Sequence, residues 1–206
     1  MSAELVASAP ARANLIGNPS DQYGGATLAC ALPLRARVRL APGDAEGCAV
    51  DVAGARTTLR TEADLALRGD RFDLVRAVLA ARGGSPPPLR LALRTDVPRQ
   101  SGVAGSTALV VAMLRALAQR DGELLHPWAL AERAREVELR HLGVQCGFVD
   151  PYTCAFGGLR YVDLRGKAAD ADPGKAPLAT VEDLAPFVPR LPFVLAFTGR
   201  RHSSDA

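Results

Sequence analysis

The stretch Thr95-Asp96-Val97-Pro98-Arg99-Gln100-Ser101-Gly102-Val103-Ala104-Gly105-Ser106-Thr107-Ala108-Leu109 sets two glycines, a serine and a threonine before a long apolar run. Ahead of it, residues 89–95 alternate as a strand. Behind it, residues 107–117 are dense in Ala, Leu, Val and Met and read as a buried helix. Strand, small-residue loop and helix together make an anion-binding arrangement. The first N–H groups of a helix lack an intrahelical partner, and the helix dipole favours negative charge there. Gly102 and Gly105 let backbone amides approach a phosphate with no Cβ in the way. Ser106 and Thr107 offer either a helix cap or a hydroxyl for Mg²⁺. On its residues alone, the loop is a phosphate cradle or a capped helix start. It is not a Walker loop, because no Lys precedes Ser106, and it does not read G-x-G-x-x-G.

Outward from the loop, residues 4–9 read as a strand, 12–17 as a second short apolar element, and 26–40 as a longer strand with clean alternation in LRARVRL. Residues 48–52 and 56–60 form a hairpin around Ala53-Gly54. Residues 72–81 have helical spacing and stop at Gly83-Gly84. Residues 127–142 are an amphipathic helix with Pro127 in its first turn. Residues 150–156 are a short helix closed by Gly157-Gly158, and 159–164 are a strand. Residues 166–177 read as a linker or exposed loop, and a new strand is expected at 193–197. Strands early and helices late point to an α+β fold.

Composition bounds the function. At 206 residues the chain holds one domain or a little more. A charged share of 23% argues against disorder, and the net charge of +3 gives no footprint for nucleic acid. No Lys/Arg cluster is interleaved with aromatics, so no nucleic-acid partner is expected. Cys30, Cys48, Cys146 and Cys154 form no C-x-x-C pair and have no His cluster, so they read as buried reduced thiols rather than a zinc site. His126, His141 and His202 read as surface or packing residues. No apolar run approaches a bilayer span, and no basic leader opens the chain. No membrane partner and a cytoplasmic location are expected.

Three motifs carry a resemblance. Pro98-x-x-x-Gly102-Val103-Ala104-Gly105-Ser106-Thr107-Ala108 resembles the second signature of the GHMP kinases, P-x-x-x-G-L-G/A-S-S-A, and departs from it at Val103 and Gly105. Ala9-Pro10-Ala11-Arg12-Ala13-Asn14-Leu15-Ile16-Gly17 resembles the first signature, with Ala11 in place of a glycine. Gly147-Phe148-Val149-Asp150, followed by Ala155-Phe156-Gly157-Gly158, resembles the segment that carries the aspartate of the family's sugar kinases. The motifs stand in family order with family spacing. The resemblance implies a GHMP kinase N-terminal ATP/Mg-binding domain at 1–165, a linker at 166–191, and at 192–206 the first strand of a C-terminal domain. Gly17-Asn18-Pro19-Ser20-Asp21 and Val97-Pro98-Arg99-Gln100-Ser101-Gly102 are most similar to glucuronokinases. The Asp150 segment and residues 198–205 also resemble heptose-phosphate kinases.

The same resemblance implies roles. Pro98, Gly102, Val103, Ala104, Gly105, Ser106 and Thr107 would hold the ATP phosphates. Ser106 and Glu138 would ligate Mg²⁺, with Glu136 a rival and a solvated helix face the plainer account of Glu138. Asp150 would take the acceptor hydroxyl's proton, or else cap the helix that starts at Pro151. Arg12 would lie near the transferred phosphate or the acceptor. Asp21, Tyr23 and Arg99 would face a sugar or sugar-acid substrate, Arg99 or Arg12 pairing with a uronate carboxylate. The family's third, glycine-rich signature has no counterpart here. Activity would then belong to a complete protein, the chain itself being a nucleotide- or sugar-binding piece or an interaction module. An exposed apolar face, with self-association or a missing C-terminal half, is expected with it.

Overall fold

The computed structural model describes residues 4–43, 46–167, 177–188, 190–197 and 199. Its spine is a long strand, β2 (Ala26–Pro42). Ala36, Val38 and Leu40 face the core, while Arg37 and Arg39 alternate outward. β1 (Leu5–Ile16) runs antiparallel along β2, with Leu5 opposite Leu40 and Ile16 opposite Leu28. The two short elements expected at 4–9 and 12–17 are therefore one strand. Its register shifts between Pro10 and Arg12 and again between Asn14 and Ile16. Such irregularities re-aim side chains, and Arg12 sits beside the first of them.

β2 also pairs with two further strands. Residues 36–42 pair with β5 (Leu89–Thr95), and residues 26–30 pair with β6 (Leu159–Asp163), both antiparallel. β3 (Cys48–Val52) adds to β5 in parallel, and β4 (Ala55–Leu59) closes the expected hairpin with β3. β7 (Thr180–Asp183) pairs with β6. The order is β4-β3-β5-β2-β6-β7, with β1 on β2.

Four helices cover the inner face: α1 (Asp73–Ala80), α2 (Gly105–Arg120), α3 (Pro127–Glu136) and α4 (Val149–Phe156). α2 is almost wholly buried and lies against β1 and β2. α3 packs on α4. One continuous core joins Val38, Leu40 and Leu91 of the sheet to Val110, Met113 and Leu130 of the helices. This is the expected α+β arrangement, with the loop of residues 96–104 at one end of the sheet.

Three expectations are corrected. The helix expected over 127–142 ends at Glu136 and passes into a π-helical turn, Val137–His141. The stretch expected as linker contributes β7, because β6 leaves an edge for residues 180–183 and Trp128 Nε1 donates to Ala179 O at 2.7 Å just before it. No strand forms at 193–197, where the described chain has no regular structure. Phe193 and Val194 are exposed there, Val194 to 94%. Residues 168–176, Thr198 and 200–206 lie outside the described residues, and with them much of the linker, His202 and the heptose-kinase-like closing run. All four cysteines are free thiols, three of them buried. Among the described residues, no helix is long and apolar enough to cross a membrane.

Candidate active site

Arg12 comes from β1, Asp150 from the first turn of α4, and the glycine loop from the entrance to α2. Arg12 ties the three together. Its Nε and Nη2 both lie 2.6 Å from Asp150 Oδ1. Its Nη1 donates to Gly102 O at 2.8 Å, and its main-chain N–H donates to Val103 O at 3.1 Å. Beneath, Ala11, Val97 and Val103 form a small apolar cluster separate from the main core, with Leu32 and Leu34 packed on it. The loop is thus stapled to the first signature by one guanidinium and a few aliphatic contacts.

The loop's backbone is coiled. Gln100, Gly102 and Ala104 all have positive φ, at 54°, 72° and 59°. For the two non-glycine residues this conformation costs about 1–2 kcal/mol each, and strain of this kind gathers at ligand clamps. α2 starts at Gly105, and the residue before it, Ala104, supplies no side-chain cap. Neither Ser106 nor Thr107 caps it. Ser106 is exposed at the helix start, and the Thr107 hydroxyl donates instead to Glu138 Oε1 at 2.6 Å. The plainer account of the loop, a capped helix start, therefore fails, and the helix keeps a capless, positively polarised end. Gly105 stands where the signature has serine. A Cβ there would lie 3.1 Å from Val97 Cγ1, so the tight packing of Val97 favours glycine.

Glu138 lies on the π-helical turn and is only 3% exposed. A π turn shifts the register of the side chains beyond it, and such turns recur at functional sites. Burial pushes its carboxyl up to about 7. The Thr107 hydroxyl opposes this, and the nearby Asp150 charge adds to it. Glu138 Oε2 has no hydrogen-bond partner. Glu136, its rival, is exposed and pairs with Arg140 at 3.1 Å. A buried carboxylate oxygen without a hydrogen-bond partner, on a side chain that already accepts from the Thr107 hydroxyl, is an oxygen donor of the kind a hard divalent cation takes. Among the described residues, no group of three or more His, Cys, Asp or Glu surrounds a common point. A cation held by Ser106 and Glu138 would complete its shell with phosphate oxygens and water.

Asp150 keeps 24% of its side chain open. Burial raises its carboxyl pKa above the ordinary value, and the Arg12 guanidinium pulls it back. Asp150 does not cap α4. That role falls to Asp21, on the 3-10 turn Ser20–Tyr23, whose Oδ2 accepts from Phe148 N at 2.9 Å and Val149 N at 3.2 Å. Asp21, expected to face substrate, is 2% exposed. Tyr23 is 83% exposed, and Arg99 and Pro98 are exposed on the loop. Among the described residues, no hydrogen bond joins Tyr23 or Arg99 to Arg12 or Asp150.

Sequence reasoning did not single out the floor of the site. Phe148 lies under the Arg135 guanidinium at 3.8 Å and beside Lys167 Nζ at 4.9 Å. Lys167 Nζ pairs with Glu132 at 2.9 Å and donates to Pro177 O at 2.7 Å, and Tyr152 OH donates to the same Glu132. Charged residues at helical spacing look solvated in a sequence. Their burial depends on the residues leading into β7, where Ala179 hydrogen-bonds to Trp128 of α3 and Tyr152 of α4 and Pro177 accepts from Lys167. His126 stacks on Trp128 at 4.7 Å, a packing role.

The chain is similar to known proteins in sequence and in fold. Residues 71–158 match the GHMP kinases N terminal domain, and residues 1–42 match the galactokinase galactose-binding signature. Galactokinase from Thermotoga neapolitana is 33% identical over 88 residues, 41% of this chain and 25% of that protein. D-glycero-alpha-D-manno-heptose 7-phosphate kinase from Campylobacter jejuni is 37% identical over 78 residues, 37% of this chain and 23% of that protein. A crystal structure of a D-glycero-D-manno-heptose 1-phosphate kinase from Bacteriodes thetaiotaomicron superposes with a TM-score of 0.71 at 24% identity, over 86% of this chain and 59% of that one. At that identity the likeness concerns the fold. In each case the chain spans less than two thirds of its relative's length.

Proposed function

We propose that the chain carries a GHMP kinase N-terminal domain and that the complete protein transfers the γ-phosphate of ATP to a hydroxyl of a sugar or sugar acid. The Arg12–Asp150 pair beside the capless start of α2 is the observation that carries this reading. Phosphoryl transfer asks mainly for positioning and charge stabilisation. The N–H groups at residues 102–107 would cradle the phosphates, with Pro98 setting the turn into the loop. Ser106 and Glu138 would hold Mg²⁺, which neutralises phosphate charge when bound. Asp150, open on one side, would accept or orient the acceptor hydroxyl's proton. Arg12 holds the Asp150 carboxylate in place and puts a fixed positive charge between it and the loop.

The finer reading is a glucuronokinase-like enzyme acting at the anomeric hydroxyl, with Tyr23 on the sugar and Arg99 on a uronate carboxylate. The relatives at hand, a galactokinase and heptose-phosphate kinases, support a sugar acceptor at the coarser level. ADP release by the full-length protein, measured with galactose, glucuronate, a heptose phosphate and mevalonate, tests both levels. Turnover with a sugar or sugar acid is expected. Glucuronate preference that persists in Arg99→Ala removes Arg99 from the finer reading. No ADP with any acceptor overturns the kinase. It would leave a nucleotide- or sugar-binding module, the second reading.

A further inference from the structure

We infer that Asp21 is a positioning residue: its buried carboxylate fixes the first turn of α4 and so the place of the Asp150 carboxyl opposite Arg12. This rests on the phosphotransfer reading of Asp150.

A carboxylate that binds sugar hydroxyls must reach solvent, and Asp21 is 2% exposed while Tyr23, two residues on, stands in the open. Its Oδ2 takes the N–H groups of Phe148 and Val149, the two residues directly before Asp150. N–H groups at a helix start have no intrahelical acceptor, and Phe148 makes no side-chain cap. The cap therefore comes from 127 residues away in the chain. A negative charge at that end also suits the helix dipole.

Gly147 gives an independent sign that the carboxylate's place is built in. A Cβ on Gly147 would collide with Asp21 Oδ2 and crowd its carboxyl carbon at 2.7 Å. The residue before the capped amides is the one that lets the carboxylate in. The geometry also couples two motifs. β1 carries Arg12, and the 3-10 turn that follows it carries Asp21. One segment thus holds both sides of the Arg12–Asp150 contact, one through a guanidinium and the other through the helix start. From the other side, Arg135 and Lys167 flank the Phe148 ring and fix the residue whose N–H Asp21 accepts.

The charge of Asp21 also acts on Asp150. It adds to burial in raising the Asp150 carboxyl, against Arg12. Glu138 on the π turn, Cys146 in the following loop and Cys154 on α4 are the other titratable groups in electrostatic contact with Asp150.

The experiment uses the full-length protein with ATP, Mg²⁺ and its sugar acceptor. Asp21→Ala is expected to lower kcat by about 100-fold, the scale of a reacting group misplaced by an ångström. The KM for the acceptor should stay within about twofold, since no substrate contact is lost. Asp21→Asn keeps an acceptor oxygen for the two N–H groups and should recover most of kcat. Because it lacks the charge that raises Asp150, it should also move the acid limb of the kcat profile to lower pH, a shift that a purely structural role would not cause. Gly147→Ala, which leaves Asp21 intact, should reproduce the kcat loss. A raised acceptor KM with unchanged kcat in Asp21→Asn would make Asp21 a sugar ligand and overturn the inference, as would an unmoved acid limb. If Asp150→Asn is fully active, the phosphotransfer reading fails and takes this inference with it. If Asp150→Asn is dead while Asp21→Ala and Gly147→Ala are normal, only this inference fails.

Discussion

Asp150 and Glu138 are two carboxylates pushed upward by the same cause, burial, and set apart by their partners. Asp150 has a guanidinium at 2.6 Å and an opening to solvent. Glu138 has the Thr107 hydroxyl and the Cys146 thiol beside it, and no hydrogen-bond partner at Oε2. An ion-paired carboxylate with an open side can meet a hydroxyl proton. A sealed one with an unused lone pair is unstable as an anion until a cation arrives. The difference lies in which element delivers the partner. β1 brings a charge to α4, whereas α2 brings only a hydroxyl to the π turn.

The comparison can be broken most severely at Asp150. In the full-length protein, Asp150→Asn should cut kcat by about 10²- to 10⁴-fold, the range for a positioned general base, with little change in the Mg²⁺ requirement. A residual activity near wild type would erase the distinction. Glu138→Gln should act the other way. The Mg²⁺ concentration needed for half-maximal rate should rise roughly 10- to 100-fold, the scale seen when a metal site loses a supporting group. Saturating Mg²⁺ should restore much of the rate.

A third test sharpens the contrast without turnover. With chelator present, the raised carboxyl of Glu138 binds a proton in the folded state that the unfolded chain has already released. Its contribution to stability is fully present below the ordinary glutamate range near 4.5 and is lost as pH rises through about 7. Unfolding free energies from denaturant titrations should therefore fall across that window by an amount on the order of 1–3 kcal/mol. Glu138→Gln should flatten the slope, and Mg²⁺ with nucleotide should oppose it. The smallest effect is expected at Glu136. Its exposed pair with Arg140 is worth less than about 1 kcal/mol, so Glu136→Ala should leave both stability and Mg²⁺ dependence nearly unchanged. A Mg²⁺ defect there would transfer the metal role from Glu138 to Glu136.

Much of the fold was legible because it follows local rules. Period-two alternation marked residues 89–95 and the hairpin, and an apolar run behind a glycine loop marked α2. The corrections come from places where local rules are silent. Residues 127–142 carry a helical pattern whether the last turn is α or π. The composition of residues 166–191 reads as linker, and only the free edge of β6 recruits residues 180–183 into a strand. Residues 193–197 look like a strand because they are apolar, yet no neighbour among the described residues pairs with them.

The site divides in the same way. By itself, the sequence determined the cast: a glycine loop before a buried helix, Arg12 in one motif, Asp150 in another, and an acidic residue near 138. Residue types set the loop and the helix behind it, and the resemblance of the motifs to the GHMP kinases picked out the other three. Tertiary structure decided what each touches. Thr107 is not a cap because Glu138, 31 residues away, takes its hydroxyl. Asp150 is not a cap because Asp21 already fills that place. Hydrogen-bond partners in a folded chain are chosen by proximity in space, and a one-dimensional pattern does not record it.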